Sequence, residues 1–175
     1  MTKVSGELSV CIAISIKGCR GFTVLRLELW NPILKDQTGK GGSLVRILVV
    51  DDNPAVRHYL RALLEQQSTW QVCDEARTGG EALQRVKKNP PDMILLDFQM
   101  PDLNGLDVAR EISGLFPEIP ILLVTIHLSK QLADEARRAG IRGACAKSDV
   151  GSIVEAVDAL LHARTYFPTG VSVEN

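Results

Sequence analysis

Neither sign of charge dominates this chain. Its 175 residues carry 20 Lys and Arg against 21 Asp and Glu, a net charge of −1. Nothing global therefore pulls it toward a polyanion, and there is no acidic tail. The four cysteines include no C-x-x-C pair, and Cys11 and Cys19 are spaced wrongly for a zinc site. No long apolar run is uninterrupted. The stretch LSVCIAISIKGCRGFTVLRLEL is broken by Lys17, Gly18, Arg20, Gly21 and Arg26, which argues against a membrane-spanning helix. Its apolar part is also short for a signal peptide and lacks a clean cleavage site. Solenoid repeats and low-complexity tracts are missing. So is any G-x-G-x-x-G or Walker loop after the first apolar run, which weakens a nucleotide-binding reading.

What is present is ordinary globular composition, 45% apolar and 23% charged. The length suits one domain with an extension. Residues 1–43 are rich in β-branched residues without clear turn chemistry and end in the linker-like DQTGKGGS. We expect an N-terminal extension there, poorly ordered or part of an over-long gene model, then a domain over 44–165 and a short tail over 166–175. Within the domain the pattern is strand then helix, five times. Apolar strands are expected at 43–50, 70–76, 92–97, 119–125 and 141–147, and amphipathic helices at 53–67, 78–90, 104–117, 129–140 and 148–167. Asn53 and Asn104 are placed to cap their helices, Pro54 fits a first helical position, and Gly140 a helix stop. Alternation with continuous apolar strands predicts an α/β fold, a doubly wound parallel sheet with helices on both faces. Cys73 and Cys145 fall in apolar strand segments and are expected to be buried, reduced thiols, in keeping with a cytoplasmic protein.

In such sheets function collects at the carboxyl ends of the strands. Those ends carry Asp51 and Asp52, then Asp97, Thr125 and Lys147. Singly, each has a plain structural explanation: an acid after a strand often caps a helix, a threonine often ends a strand, and a lysine is often a solvated charge. Together they put three carboxylates, a hydroxyl and an amine on one rim. Three acids so close call for a counter-charge. Oxygen ligands without histidine or cysteine favour Mg²⁺ over zinc, with positions left for a phosphoryl anion and Lys147 as the fixed cation.

The segments ILVVDDNPAVRHYL, EARTGGEAL, MILLDFQMPDLNG, ILLVTIH and GACAKSD together resemble the receiver domain of two-component response regulators. The resemblance runs from residue 45 to about 163. It implies a flavodoxin-like sheet of order 2-1-3-4-5. It also implies that Asp97 accepts a phosphoryl group from a histidine kinase's phosphohistidine. Asp51 and Asp52 would bind magnesium with Asp97 and the backbone carbonyl of Gln99, Asp52 being the more direct ligand. Thr125 would hydrogen-bond the phosphoryl oxygens, and Lys147 would pair first with Asp97 and then with the phosphoryl group. Implied partners are a sensor histidine kinase or phosphotransfer protein and a downstream protein target, with homodimerisation open and membrane contact unexpected.

Departures from the family pattern carry consequences. Ala144 stands where an aromatic residue often couples to the threonine, so switching through that residue is in doubt. His127 is a substitute candidate, though an exposed loop histidine is the plainer reading. Ile126 follows Thr125 where a small residue is frequent. A larger side chain there restricts access to the acceptor, so the native protein should lose phosphate more slowly than Ile126→Ala, and equal decay rates would refute this. Lys147 is followed by Ser148 and Asp149, the pattern of receivers joined to helix-turn-helix domains. The chain ends at Asn175 without a recognition helix or a basic patch, so the expectation is a stand-alone receiver, or a truncated DNA-binding regulator, that does not itself bind nucleic acid. A haloacid-dehalogenase-type phosphatase is discounted because Gln99 stands where its second acid belongs. A receiver that serves as a binding platform without phosphorylation stays open through Ala144.

Overall fold

A computed structural model describes residues 44–167. The extension expected over 1–43 and the tail beyond 167 lie outside the described residues. Five strands, β1 (Val45–Val50), β2 (Trp70–Ala76), β3 (Met93–Asp97), β4 (Ile121–Thr125) and β5 (Gly143–Ala146), alternate with α1 (Pro54–Leu64), α2 (Gly79–Lys88), α3 (Gly105–Leu115), α4 (Lys130–Arg138) and α5 (Val150–Leu161). The strands form one parallel sheet in the order β2-β1-β3-β4-β5.

Alternation along each strand builds two cores. Ile47 and Val49 of β1, Met93 and Leu95 of β3, and Leu122 and Val124 of β4 face one way, onto Leu60, Leu63 and Leu64 of α1 and Ile153, Ala156, Val157 and Leu160 of α5. The residues between them, Leu48, Val50, Ile94, Leu96, Ile121 and Leu123, face α2, α3 and α4 on the other side. Every residue of β3 and β4 is buried. This is why the sequence shows unbroken apolar runs there instead of an apolar–polar alternation. Each fully buried Leu or Ile contributes about 1.5–3 kcal/mol of transfer free energy.

Caps set where the helices start. Asn53 accepts from the Ala55 N–H with Pro54 beside it, and Asn104 accepts from the Asp107 N–H, as the sequence suggests. Gly140 stops α4 at φ +85°. The Gly140 N–H donates to Arg137 and the Ile141 N–H to Ala136, and a Cβ on Gly140 would sit 2.6 Å from Ser113 Oγ.

The end of α5 departs from expectation. The helix stops at Leu161, not at 167. Ala163 takes φ +57°, its N–H donates to Leu160, and the Arg164 N–H donates to Ala159. The chain then turns back along the free edge of β5. Tyr166 bridges Gly143 in parallel, donating to Arg142 and accepting from Ala144, while the Phe167 ring lies under the Arg137 guanidinium at 3.9 Å. Cys73 also departs. It falls where the β1–β2 register shifts and is only partly buried, whereas Cys145 is fully buried. Burial pushes the Cys145 thiol up to about 12 and raises that of Cys73, so neither is a reactive thiolate.

Candidate functional site

The strand order reverses between β1 and β3. The chain leaves β1 for β2 on one side and later returns to β3 on the other. A crevice opens at the carboxyl ends of such a pair, and Asp51 and Asp97 flank it.

Asp51 follows β1 and is 1% exposed. Its N–H donates to Ala76 at the end of β2, and its Oδ1 accepts from the Asn53 N–H at 2.9 Å. Its Oδ2 is buried against Lys147 Nζ, 2.6 Å away. Asp52 is exposed. Asp97, the last residue of β3, is 5% exposed, and its Oδ2 lies 3.0 Å from the same Lys147 Nζ. Lys147 comes just after β5 instead of within it, and its N–H donates to Thr125 at 2.7 Å, which ties the lysine to the end of β4. Thr125 is itself buried.

Burial pushes the Asp97 carboxyl above its ordinary value. The Asp51 charge adds to the rise, against the opposing pull of Lys147 and a hydrogen bond from the Gln99 N–H. For Lys147 burial alone lowers, but Asp51 and Asp97 more than offset it and hold the ammonium above its usual range.

Carboxylate oxygens of Asp51, Asp52 and Asp97 all lie within 4.8 Å of one another. Three acids gathered around one lysine form a set that can hold a metal ion. An all-oxygen donor set with a single lysine fits a hard divalent cation. Of the six residues singled out in the sequence, Asp51, Asp97 and Lys147 are in direct contact through the lysine. Asp52 joins the acidic group, and Thr125 and Gln99 stand beside it on the same rim. Ile126 is 61% exposed at that rim, and Ala144 is buried beneath it.

The family model for the response regulator receiver domain matches residues 47–158. The chain belongs to this family. A two-component response regulator of the LuxR family from Aurantimonas superposes on this receiver with a TM-score of 0.68 and 34% identity, over 71% of this chain and 89% of that one. A protein-glutamate methylesterase/protein-glutamine glutaminase of Pyrococcus abyssi is 39% identical over 84 residues, 48% of this chain and 23% of its own length. Response regulator UvrY of Escherichia coli is 27% identical over 130 residues, 74% of this chain and 60% of its own. This chain thus spans between about a quarter and three fifths of the length of these two curated relatives.

Two supports of the site were not evident in the sequence. Asp102 lies five residues after Asp97, and its two carboxylate oxygens accept from the N–H groups of Gly79 and Gly80, each at 2.9 Å, fastening the loop after β3 to the start of α2. Arg57 reaches back from α1. Its Nη1 donates to the carbonyls of Asp51 and Asp52 at 2.8 and 3.2 Å, and its Nε to Glu75 Oε2 at 3.1 Å. The signal for Asp102 was its place in MPDLNG. Arg57 left no signal, because two of its partners are backbone carbonyls, which no side-chain pattern marks, and the third, Glu75, lies on β2. Gly105 is a third support. A Cβ there would come 2.3 Å from the Asp97 carbonyl, and its N–H donates to Phe98, so glycine lets α3 start directly behind the end of β3.

Proposed function

We propose that this receiver is a phosphorylation switch whose acceptor is Asp97. A carboxylate oxygen of Asp97 attacks the phosphorus of a phosphohistidine on a sensor histidine kinase or phosphotransfer protein. The P–N bond breaks, its electron pair stays with the imidazole, which takes up a proton, and an aspartyl phosphate forms. Asp51, Asp52, Asp97 and the Gln99 carbonyl are the ligands we assign to Mg²⁺. Magnesium, when bound, neutralises charge on the acids and on the transferring phosphoryl oxygens. Lys147 holds Asp97 before transfer and pairs with the phosphoryl group after it. Thr125 donates its hydroxyl to a phosphoryl oxygen and moves inward, which biases a two-state surface. The output is a contact with a downstream protein or a second copy of the chain, in the cytoplasm, and the domain is a signalling acceptor, not a turnover enzyme.

The observation that carries this reading is one buried carboxylate, at the end of a central strand, sharing a lysine with a second acid and lying beside a third. Phosphoryl transfer asks for this kind of positioning and charge neutralisation more than for further covalent chemistry. The test is incubation of the full chain with a small-molecule phosphodonor and Mg²⁺, followed by intact mass. The expected result is a gain of one phosphoryl group in the wild type and none in Asp97→Asn. A natively folded wild type that gains nothing would overturn the proposal in favour of a phosphorylation-independent binding platform.

A further inference from the structure

We propose that Arg57 is a positioning residue for the acidic pair, held in place by Glu75, and that cation binding depends on it. This rests on the metal-binding reading above. Helical side chains lean toward the helix start, so Arg57, on the first turn of α1, reaches back over the β1–α1 loop. There a single Nη1 bridges the carbonyls of Asp51 and Asp52. These are consecutive peptide units, and fixing both fixes the directions in which the two side chains leave the backbone. The guanidinium is itself fixed. Its Nε donates to Glu75 Oε2, while Glu75 Oε1 accepts from Arg61 Nε at 2.8 Å. Arg57 is also largely withdrawn from solvent, with 17% of its side chain exposed. Charge-assisted hydrogen bonds in such a setting are strong and directional.

The carboxylates have unequal support. Asp51 is fastened at its N–H, its carbonyl and its Oδ1. Asp52 is exposed, and its carboxylate takes no hydrogen bond among the described residues, so the Arg57 contact to its carbonyl is the tether nearest to that acid. Removing the tether leaves Asp52 free to swing away from Asp51 and Asp97.

The sign of the effect separates positioning from charge. Arg57 is a cation close to an anionic cluster. By charge alone its loss would tighten Mg²⁺ binding. If it positions the ligands, its loss weakens binding, and outer partners of this type are typically worth on the order of 10-fold or more in affinity.

The experiment is calorimetric titration of the full chain with Mg²⁺ alone, well below the unfolding temperature, with far-UV circular dichroism recorded on each variant. Arg57→Ala is expected to raise the Mg²⁺ dissociation constant about 10-fold. Arg57→Lys is expected to raise it several-fold, because one ammonium restores the charge but cannot span two carbonyls and Glu75 together. It also carries the test should the alanine variant not fold. Arg61→Ala breaks the other half of the Glu75 pair without touching the Asp51 or Asp52 carbonyls, so it should weaken the affinity clearly less than Arg57→Ala does. Equal or tighter binding by Arg57→Ala or Arg57→Lys overturns the inference. Equal weakening in Arg61→Ala also overturns it, since general loosening of α1 would then suffice. A wild type that takes up no Mg²⁺ sinks the metal reading, and this inference falls with it.

Discussion

Asp97 is a burden on the fold that makes it. Its carboxyl titrates higher in the folded protein than in the unfolded chain, because burial disfavours the charge. Between the two values the folded state binds more protons, so stability falls as pH rises through that window and stays at the lower level above it. Removing the charge while keeping the shape should therefore help. We expect Asp97→Asn to unfold at higher urea concentration than the wild type at pH 7 in magnesium-free buffer. The gap should narrow as pH is lowered into the acidic range, where Asp97 becomes neutral. A variant equal to or weaker than the wild type at pH 7 would mean that the Lys147 pairing outweighs the cost of burying Asp97. The residues at strand ends were legible in the sequence because a strand's last position is marked by the switch from apolar to polar. Asp51, Asp97, Thr125 and Lys147 could be read that way although up to ninety-six positions separate them. Arg57 could not, since nothing in the local pattern says which backbone carbonyls a helical arginine will meet.

At the scale of elements, boundaries are where local sequence and final structure part company. The sequence suggests that α5 runs to 167, because no glycine or proline lies between Leu161 and Pro168. It ends instead through the same paired hydrogen bonds that Gly140 provides after α4, with Ala163 in the left-handed position. What stabilises that turn is tertiary: Tyr166 completes the edge of β5. Alanine pays a steric cost there that glycine does not. Ala163→Gly should stabilise the domain by about 0.5–1 kcal/mol in urea unfolding, the relief exceeding the added freedom of the unfolded chain. A destabilised variant would argue against the left-handed turn. At the start of α2, Asp102 presents the opposite case. Burial raises its carboxyl, but the N–H groups of Gly80, Gly79, Leu103 and Asp102 itself together outweigh this and hold it at about 2. The folded value is the depressed one, so the stabilisation is complete above the unfolded value near 4 and is lost as pH falls toward 2. Asp102 is exposed, which keeps the gain modest. Asp102→Ala should cost about 1 kcal/mol at pH 7, as loss of a helix cap does, and the deficit should shrink between pH 4 and pH 2. A deficit independent of pH would point to a role for the side chain other than its charge.

Across the whole domain, the fold was legible because five apolar strands and five amphipathic helices repeat in one order, and only a parallel sheet covered on both faces buries them all. The same topology creates the electrostatic problem at its rim. Three carboxylates meet one ammonium there, an excess of two negative charges, and the fold holds them together through backbone contacts made elsewhere. A ligand that binds only the folded state stabilises it by mass action. If the acidic group holds Mg²⁺, adding the ion at about 100 times its dissociation constant should stabilise the wild type by about 2.7 kcal/mol, seen as a rise in unfolding temperature that EDTA reverses. Asp52→Ala removes an exposed side chain that takes no hydrogen bond among the described residues, so without magnesium it should be as stable as the wild type or more so, having lost a repelling charge. With magnesium it should show little of the rise. The contrast between those two conditions is the useful measurement. A wild type whose unfolding temperature ignores magnesium, or an Asp52→Ala variant that gains as much as the wild type, would show that this rim is not where a divalent ion acts.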